Sequence, residues 1–221
     1  MISFFVPIRK GSKRVKNKNI KKVQNFSLGL TEIKIKQFLK LKNSLGKKYE
    51  FEFVIATNCK KTLNYCKKLS WIKTFVRREK ISGDYSLNHM INLAPKICKG
   101  PLILWTHVTS PLFNSDCYKD FIESYYKKKT NRSAFSADTI KKFIFNEKKK
   151  WVSHNQSVNK WPRTQDLNGT YIVNSAAFIA TKKIYFKQKD RLCSNPFPII
   201  SKKNTGFDVD SNEDFTSLKK M

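Results

Sequence analysis

Asp208 and Asp210 are separated only by Val209. In an extended segment alternate side chains share a side, so both carboxylates face the same way. Such a pair suits Mg²⁺, which takes one or two carboxylates and completes its shell with water and substrate phosphates. Glu213 and Asp214, just beyond, read instead as first-turn acids of a helix. A second segment has the opposite charge. Arg9-Lys10-Gly11-Ser12-Lys13-Arg14 is followed by Lys16, Lys18 and Asn19. Glycine lets a backbone approach an anion, exposed N–H groups cradle it, and Arg and Lys neutralise it. A solvated basic turn would carry the same residue types. The segment has neither the G-x-x-x-x-G-K-[ST] of a Walker loop nor the G-x-G-x-x-G of a dinucleotide site. A third segment, Val108-Thr109-Ser110-Pro111-Leu112, sets two hydroxyls before a rigid proline. These can face a ligand or cap the next helix.

All three segments flank strand-like runs. Ile2 to Ile8 reads as a buried strand leading into the basic loop, and Pro101 to Thr106 as a strand leading into the hydroxyl loop. Phe51 to Thr57 reads as a second strand and Thr74 to Val76 as a short third. Helical spacing predicts helices over Glu32 to Leu45, Lys60 to Leu69, Tyr85 to Cys98 and Asp116 to Lys127. Pro95 falls in the last turn of the third of these. Ser133 to Ala137, Tyr171 to Thr181 and Pro198 to Ser201 read as later strands. Strand and helix alternate over the first part of the chain. The expected fold is therefore α/β, a Rossmann-like, mostly parallel sheet with helices on both faces. Ligands of such sheets sit at the carboxyl ends of the strands. Residues 1–221 are expected to form one domain. Residues 140–161 break the alternation and carry Phe143, Phe145, Trp151 and Trp161, so they read as a projecting hairpin.

The chain has 221 residues with 40% hydrophobic and 13% aromatic content, which excludes a mostly disordered chain. No apolar run approaches the roughly 20 residues that span a bilayer, and no signal-peptide pattern opens the chain. A cytoplasmic protein without membrane association is expected. The net charge of +29 raises a polyanionic partner. The excess is mostly Lys spread along the chain, alongside abundant Asn and Ile, as codon bias in an A+T-rich genome would produce. Attraction of anionic small substrates is the second reading, and nucleic-acid binding the third. The five cysteines form no C-x-x-C pair and read as reduced thiols. His89 and His154 read as surface or core residues, whereas His107 stands at the hydroxyl loop. No Ser/His/Asp arrangement supports a hydrolase.

Taken together, the three segments resemble the acylneuraminate cytidylyltransferases, or CMP-sialic acid synthetases. The matching residues are Arg9-Lys10-Gly11-Ser12-Lys13 with Lys18-Asn19, Thr109-Ser110-Pro111-Leu112, and Asp208-Val209-Asp210-Ser211-Asn212-Glu213-Asp214. A fourth match is Arg163-Thr164-Gln165-Asp166-Leu167, followed by Asn174-Ser175-Ala176-Ala177-Phe178. Order and spacing agree over nearly the whole chain.

The resemblance implies transfer of a cytidylyl group from CTP to the anomeric hydroxyl of a 2-keto sugar acid, with loss of pyrophosphate. It implies that Arg9, Gly11, Ser12, Lys13 and Lys18 line the triphosphate, with Arg9, Lys18 and Asp210 as the catalytic groups. Asn19, Arg77, Ser86 and Asn88 would form the cytidine side. His107, Thr109, Ser110, Arg163, Gln165 and Asn174 would face the sugar, and Asp208 and Asp210 would hold Mg²⁺. It also implies a homodimer built on the projecting hairpin. Several positions depart from the family's pattern. His107-Val108 replaces Gln-Pro, Asn58 replaces an Asp, Ser175 replaces a Gly, and Lys16-Asn17 stands where a Pro is common. These changes leave open sialic, legionaminic and pseudaminic-type acids and the eight-carbon acid of lipopolysaccharide. An enzyme of the same fold using another nucleotide, and an inactive polyanion-binding relative, stay open as well. A protein that only bound polyanions would have no use for Asp208 and Asp210 among phosphates.

Overall fold

Ile2, Phe4, Val6 and Ile8 point to one side of the first strand and Phe5 to the other, and all five are buried. A strand covered on both faces needs helices above and below it. In the computed structural model, which describes residues 1–12, 14–77, 85–167 and 169–220 (for 85 and 86 the backbone only), that is the arrangement. Seven strands form one sheet: β1 (Ile2–Ile8), β2 (Phe51–Thr57), β3 (Ile72–Val76), β4 (Leu102–Thr106), β5 (Ala134–Ile140), β6 (Thr170–Thr181) and β7 (Phe197–Ile200). Their order is β3-β2-β1-β4-β6-β5-β7. β6 runs antiparallel to β4 and β5, and all other pairings are parallel. The expected mostly parallel sheet is present.

Among the described residues six α-helices cover it: α1 (Gly29–Leu45), α2 (Lys60–Lys67), α3 (Tyr85–Ile97), α4 (Ser115–Lys127), α5 (Lys182–Gln188) and α6 (Asn212–Lys220). Leu30, Phe38 and Leu41 of α1 and Tyr118 and Phe121 of α4 pack on the face of Phe4 and Phe53. Met90 and Ala94 of α3 and Ile184 and Tyr185 of α5 pack on the face of Phe5 and Trp105. The short α5 escaped the sequence reading because seven residues carry too little periodicity. Its start is set by Thr181, whose hydroxyl accepts from the amide of Ile184. α1 begins three residues before the expected Glu32. The Glu32 carboxylate accepts from the amide of Leu28 and the hydroxyl of Ser27, fixing the earlier start. Gly29 there has φ +53°, and a Cβ would lie 2.0 Å from the carbonyl oxygen of Lys21.

β6 changes partners along its length. Ala177–Thr181 pair with β4, whereas Thr170–Val173 pair only with the far end of β5. The register slips between Phe135 and Ala137, opposite Ser175 at φ +60°. Such a bulge bends the ribbon away from the sheet. Beyond it Tyr171, Ile172 and Val173 are all exposed. Between β5 and β6, Phe145 and Trp151 form one antiparallel bridge, and Phe143, Trp151, His154 and Trp161 pack ring edge to ring face. Trp161 and Val158 remain 66% and 82% exposed.

Candidate active site

The loops after β1, β3 and β4 and the loop before α6 meet at the carboxyl ends of the parallel strands, the expected position for a ligand. They enclose a cleft of about 420 Å³ lined by Arg9, Ser12, Arg14, Lys18, Asn19, Arg77, His107, Thr109 and Asp210. Its apolar wall comes from Pro7, Val15, Leu87, Met90, Trp105 and Val108.

The basic loop is pinned at both ends. The amide of Lys10 donates to Asn58 Oδ1 at 2.7 Å, linking β1 to the end of β2. Asn19 Nδ2 donates to the carbonyl of Arg9 at 3.1 Å, and the hydroxyl of Thr31 in α1 donates to the carbonyl of Asn19. Gly11 takes φ +88° at the tip, a backbone open to glycine at little cost. Arg77 follows β3 directly, its amide bonded to the carbonyl of Thr57. Burial and then the like charge of Arg9 lower the proton affinity of the Arg77 guanidinium. Cations set against each other in this way are relieved by a polyanion.

The acidic loop faces them. Lys18 Nζ donates to Asp210 Oδ1 at 2.9 Å and to the carbonyl of Val209 at 2.6 Å. Arg14 lies 3.2 Å from Asp210 Oδ2. The Lys18 hydrogen bond, then the Arg14 charge, holds the Asp210 carboxyl below its ordinary range. Asp208 is shifted the other way, by burial first and by the neighbouring Asp210 next. Its Oδ1 is buried without a hydrogen-bond partner among the described residues. An unsatisfied carboxylate oxygen beside a second carboxylate fits a hard divalent cation. Among the described residues no cluster of three or more acidic, His or Cys ligands exists, so substrate oxygens would complete such a shell. Asp214 has a different task. Its Oδ2 accepts from the amides of Asp210 and Ser211 and the hydroxyl of Ser211, capping α6.

Of the residues singled out from sequence, Arg9, Ser12, Lys18, Asn19, Arg77, His107, Thr109 and Asp210 converge on this cleft. Gly11 lines an adjoining recess with Arg9 and Asn19. Lys13 and the side chain of Ser86 lie outside the described residues. Six others stand apart from the cleft wall. Asp208 is one, half-buried with Oδ1 unpartnered among the described residues, two residues before Asp210. Asn88 is exposed on α3, where Leu87 and Met90 reach the cleft instead. Ser110 is fully buried, and its carbonyl accepts from Lys34 Nζ at 2.9 Å. Asn174 is 8% exposed and spends its amide on Ser136, Ser201 and the amide of Ala176. Arg163 and Gln165 are exposed around a short 3₁₀ turn, Thr164–Asp166, after the aromatic cluster.

Two features escaped the sequence reading. One is Lys34, fully buried and donating to the carbonyls of Ser110 and Phe113 and to Tyr118 Oη. It lies four residues from both Leu30 and Phe38, a lysine on the apolar stripe of α1, and that spacing was the available signal. Burial pulls its ammonium down to about 7. The other is Trp105, whose Nε1 donates to His107 Nε2 at 2.9 Å. Burial first, then the charges of Arg191, Lys34 and Lys18, pushes the His107 imidazolium down to about 3.

Comparison with known proteins agrees with this geometry. The fold is similar to that of CMP:2-keto-3-deoxy-manno-octonic acid synthetase, with TM-score 0.66, 11% identity, and 99% of this chain and 97% of that one covered. It is also similar to 4-diphosphocytidyl-2C-methyl-D-erythritol synthase from Anaerococcus prevotii, with TM-score 0.65, 11% identity, and 99% and 96% covered. In sequence the chain is 25% identical over 224 residues to the pseudaminic acid cytidylyltransferase of Campylobacter jejuni serotype O:2, covering 97% of this chain and 93% of that protein. The corresponding protein of a second C. jejuni strain, serotype O:23/36, is 24% identical over the same span. Residues 3–206 match the cytidylyltransferase family, and the chain belongs to that family.

Proposed function

We propose that this protein activates a nine-carbon 2-keto sugar acid of the pseudaminic type, transferring the cytidylyl group of CTP to its anomeric hydroxyl and releasing pyrophosphate. The observation that carries the reading is the convergence of Arg9, Lys18 and Arg77 with Asp210 on one cleft, two residues along the chain from the Asp208 oxygen that is buried and unpartnered among the described residues. The pseudaminic class is supported by the two Campylobacter relatives, which span nearly the whole chain.

The chemistry asks for positioning and charge neutralisation more than for covalent help. Arg9, Ser12 and Lys18 bind the triphosphate, and Arg77 and Asn19 hold the cytidine side. Asp208 and Asp210 hold Mg²⁺, which supplies charge withdrawal from the phosphate under attack. When the triphosphate enters, its charge competes with Asp210 for Lys18 and Arg14, releasing that carboxylate. His107 and Thr109 face the sugar acid. The protein works in the cytoplasm as a single domain, needs no nucleic acid, and forms a homodimer through residues 140–161 and the exposed start of β6. The dimer would bring Arg163 and Gln165 of one protomer to the site of its partner.

The test is pyrophosphate release with CTP, UTP, ATP and GTP, each crossed with pseudaminic, legionaminic, sialic and eight-carbon keto acids. Turnover is expected with CTP and a pseudaminic-type acid in the presence of Mg²⁺. Equal turnover with UTP removes the nucleotide assignment, and preference for another acid removes the sugar assignment.

A further inference from the structure

The indole Nε1–H of Trp105 donates to Nε2 of His107 at 2.9 Å. An indole nitrogen only donates. Nε2 must therefore carry a free lone pair, and a neutral ring then holds its proton on Nδ1. Nδ1 makes no hydrogen bond to the described residues, while the ring lines the cleft. We propose that Trp105 is a positioning residue that locks His107 in the Nδ1–H tautomer, so that His107 meets the cleft only as a hydrogen-bond donor and receives the carboxylate of the sugar acid. This deepens the functional reading above and rests on it for the identity of the ligand.

Three further observations support the assignment. First, Trp105 is fully buried on β4, so without His107 its N–H would be left unpaired in the core. Second, the indole cannot swing away. Phe5 packs against it at 4.8 Å between ring centroids, and the Arg191 guanidinium lies 5.1 Å from it and 3.7 Å from the Phe178 ring. Third, the charges around the imidazole are cationic: Lys18 beside the basic loop, Lys34 on α1 and Arg191 after α5. They oppose a second proton on the ring and favour an anion in front of it. A carboxylate oxygen satisfies both the donor and the field, whereas a group that must itself donate does not. The same geometry removes His107 as a general base. One nitrogen is engaged by Trp105 and the other already bears a proton.

Proton–nitrogen NMR of histidine-labelled, ligand-free protein reads the tautomer directly. His107 is expected to show an unprotonated Nε2 and a protonated Nδ1, unchanged between about pH 8 and pH 5. Trp105→Phe keeps the ring and removes the donor. It should release both tautomers, raise KM for the sugar acid about tenfold and make that KM pH-dependent, with KM for CTP within about twofold of wild type. A second pair covers a Trp105→Phe chain that fails to fold. His107→Gln can accept from the indole and donate to the cleft, so its KM for the sugar acid should stay within about threefold of wild type. His107→Leu can do neither and should lose about tenfold. A protonated Nε2 in the wild type, or a wild-type KM in His107→Leu, overturns the proposal. The tautomer is read without substrate. The expected spectrum combined with no turnover of any keto acid would therefore leave Trp105 as the positioning residue and overturn the carboxylate assignment together with the functional reading.

Discussion

The backbone amide of Val209 donates to the carbonyl of Thr109 at 2.7 Å. That bond ties the hydroxyl loop after β4 to the acidic loop before α6. The Val209 side chain is fully buried, while the flanking Asp210 meets Lys18 and Arg14 and Asp208 keeps Oδ1 buried and unpartnered among the described residues. Lys18 reinforces the tie by donating to the Val209 carbonyl as well as to Asp210. One buried valine thus anchors the segment that carries both carboxylates.

Asp210→Asn is expected to lower pyrophosphate release by about three powers of ten, because a bound cation contributes several kcal/mol of charge stabilisation. Asp208→Asn should cost a comparable amount or less. Folding should be little changed in Asp210→Asn, since its partly exposed ion pairs contribute about 1 kcal/mol at most. Steady-state rates paired with thermal melts separate the two effects. Near-normal turnover of both variants would place the metal elsewhere.

Lys34→Met should leave the carbonyls of Ser110 and Phe113 without a donor, at about 1–3 kcal/mol for each unpaired group. The effect carries a pH signature. The unfolded chain holds this proton up to its ordinary value of 10.5, whereas the folded chain releases it above about 7. Across that window the unfolded state binds more protons, so the contribution of Lys34 to stability rises with pH. Urea midpoints at rising pH should therefore diverge further between wild type and Lys34→Met. A gap that narrows instead contradicts the lowered proton affinity.

Gly206→Ala tests the packing around Asn174. A Cβ there would lie 2.2 Å from Asn174 Nδ2 and 2.6 Å from Asp138 Oδ2. Overpacking of this kind costs about 1–3 kcal/mol. Ser175→Gly should act oppositely at the neighbouring bulge, where Ser175 holds φ +60°. Relief of left-handed strain there is expected to add about 1 kcal/mol. Calorimetric melts of the two variants should move in opposite directions.

Trp161→Asp combined with Val158→Asp should convert the proposed dimer to monomer, because both side chains are exposed and apolar and Trp161 belongs to the aromatic cluster. Light scattering at micromolar protein reads the state. A wild-type protein that is monomeric and fully active would remove both the dimer and the shared site.

Local chemistry made much of this protein legible from its residues alone. The apolar runs of β1, β2 and β4 are continuous because both faces are buried, and that pattern needs no tertiary information. Charge and spacing at Arg9, Lys18, Asp208 and Asp210 pointed to an anion and a divalent cation, and the order of the four motifs carried the family resemblance that implies nucleotidyl transfer. Which side chains meet was decided elsewhere. Ser110 and Asn174 stand in motifs, but the packing of α1 sets Lys34 on the Ser110 carbonyl, and the pairing of β6 with β5 engages Asn174 with Ser136 and Ser201. Trp105 and His107 are two apart at the end of β4, and their pairing depends on Phe5, Phe178 and Arg191 fixing the indole. Periodicity assigns a residue to a face of its own element. The partner across the interface is set by strand order and the bulge at Ser175, which depend on contacts between residues distant in sequence.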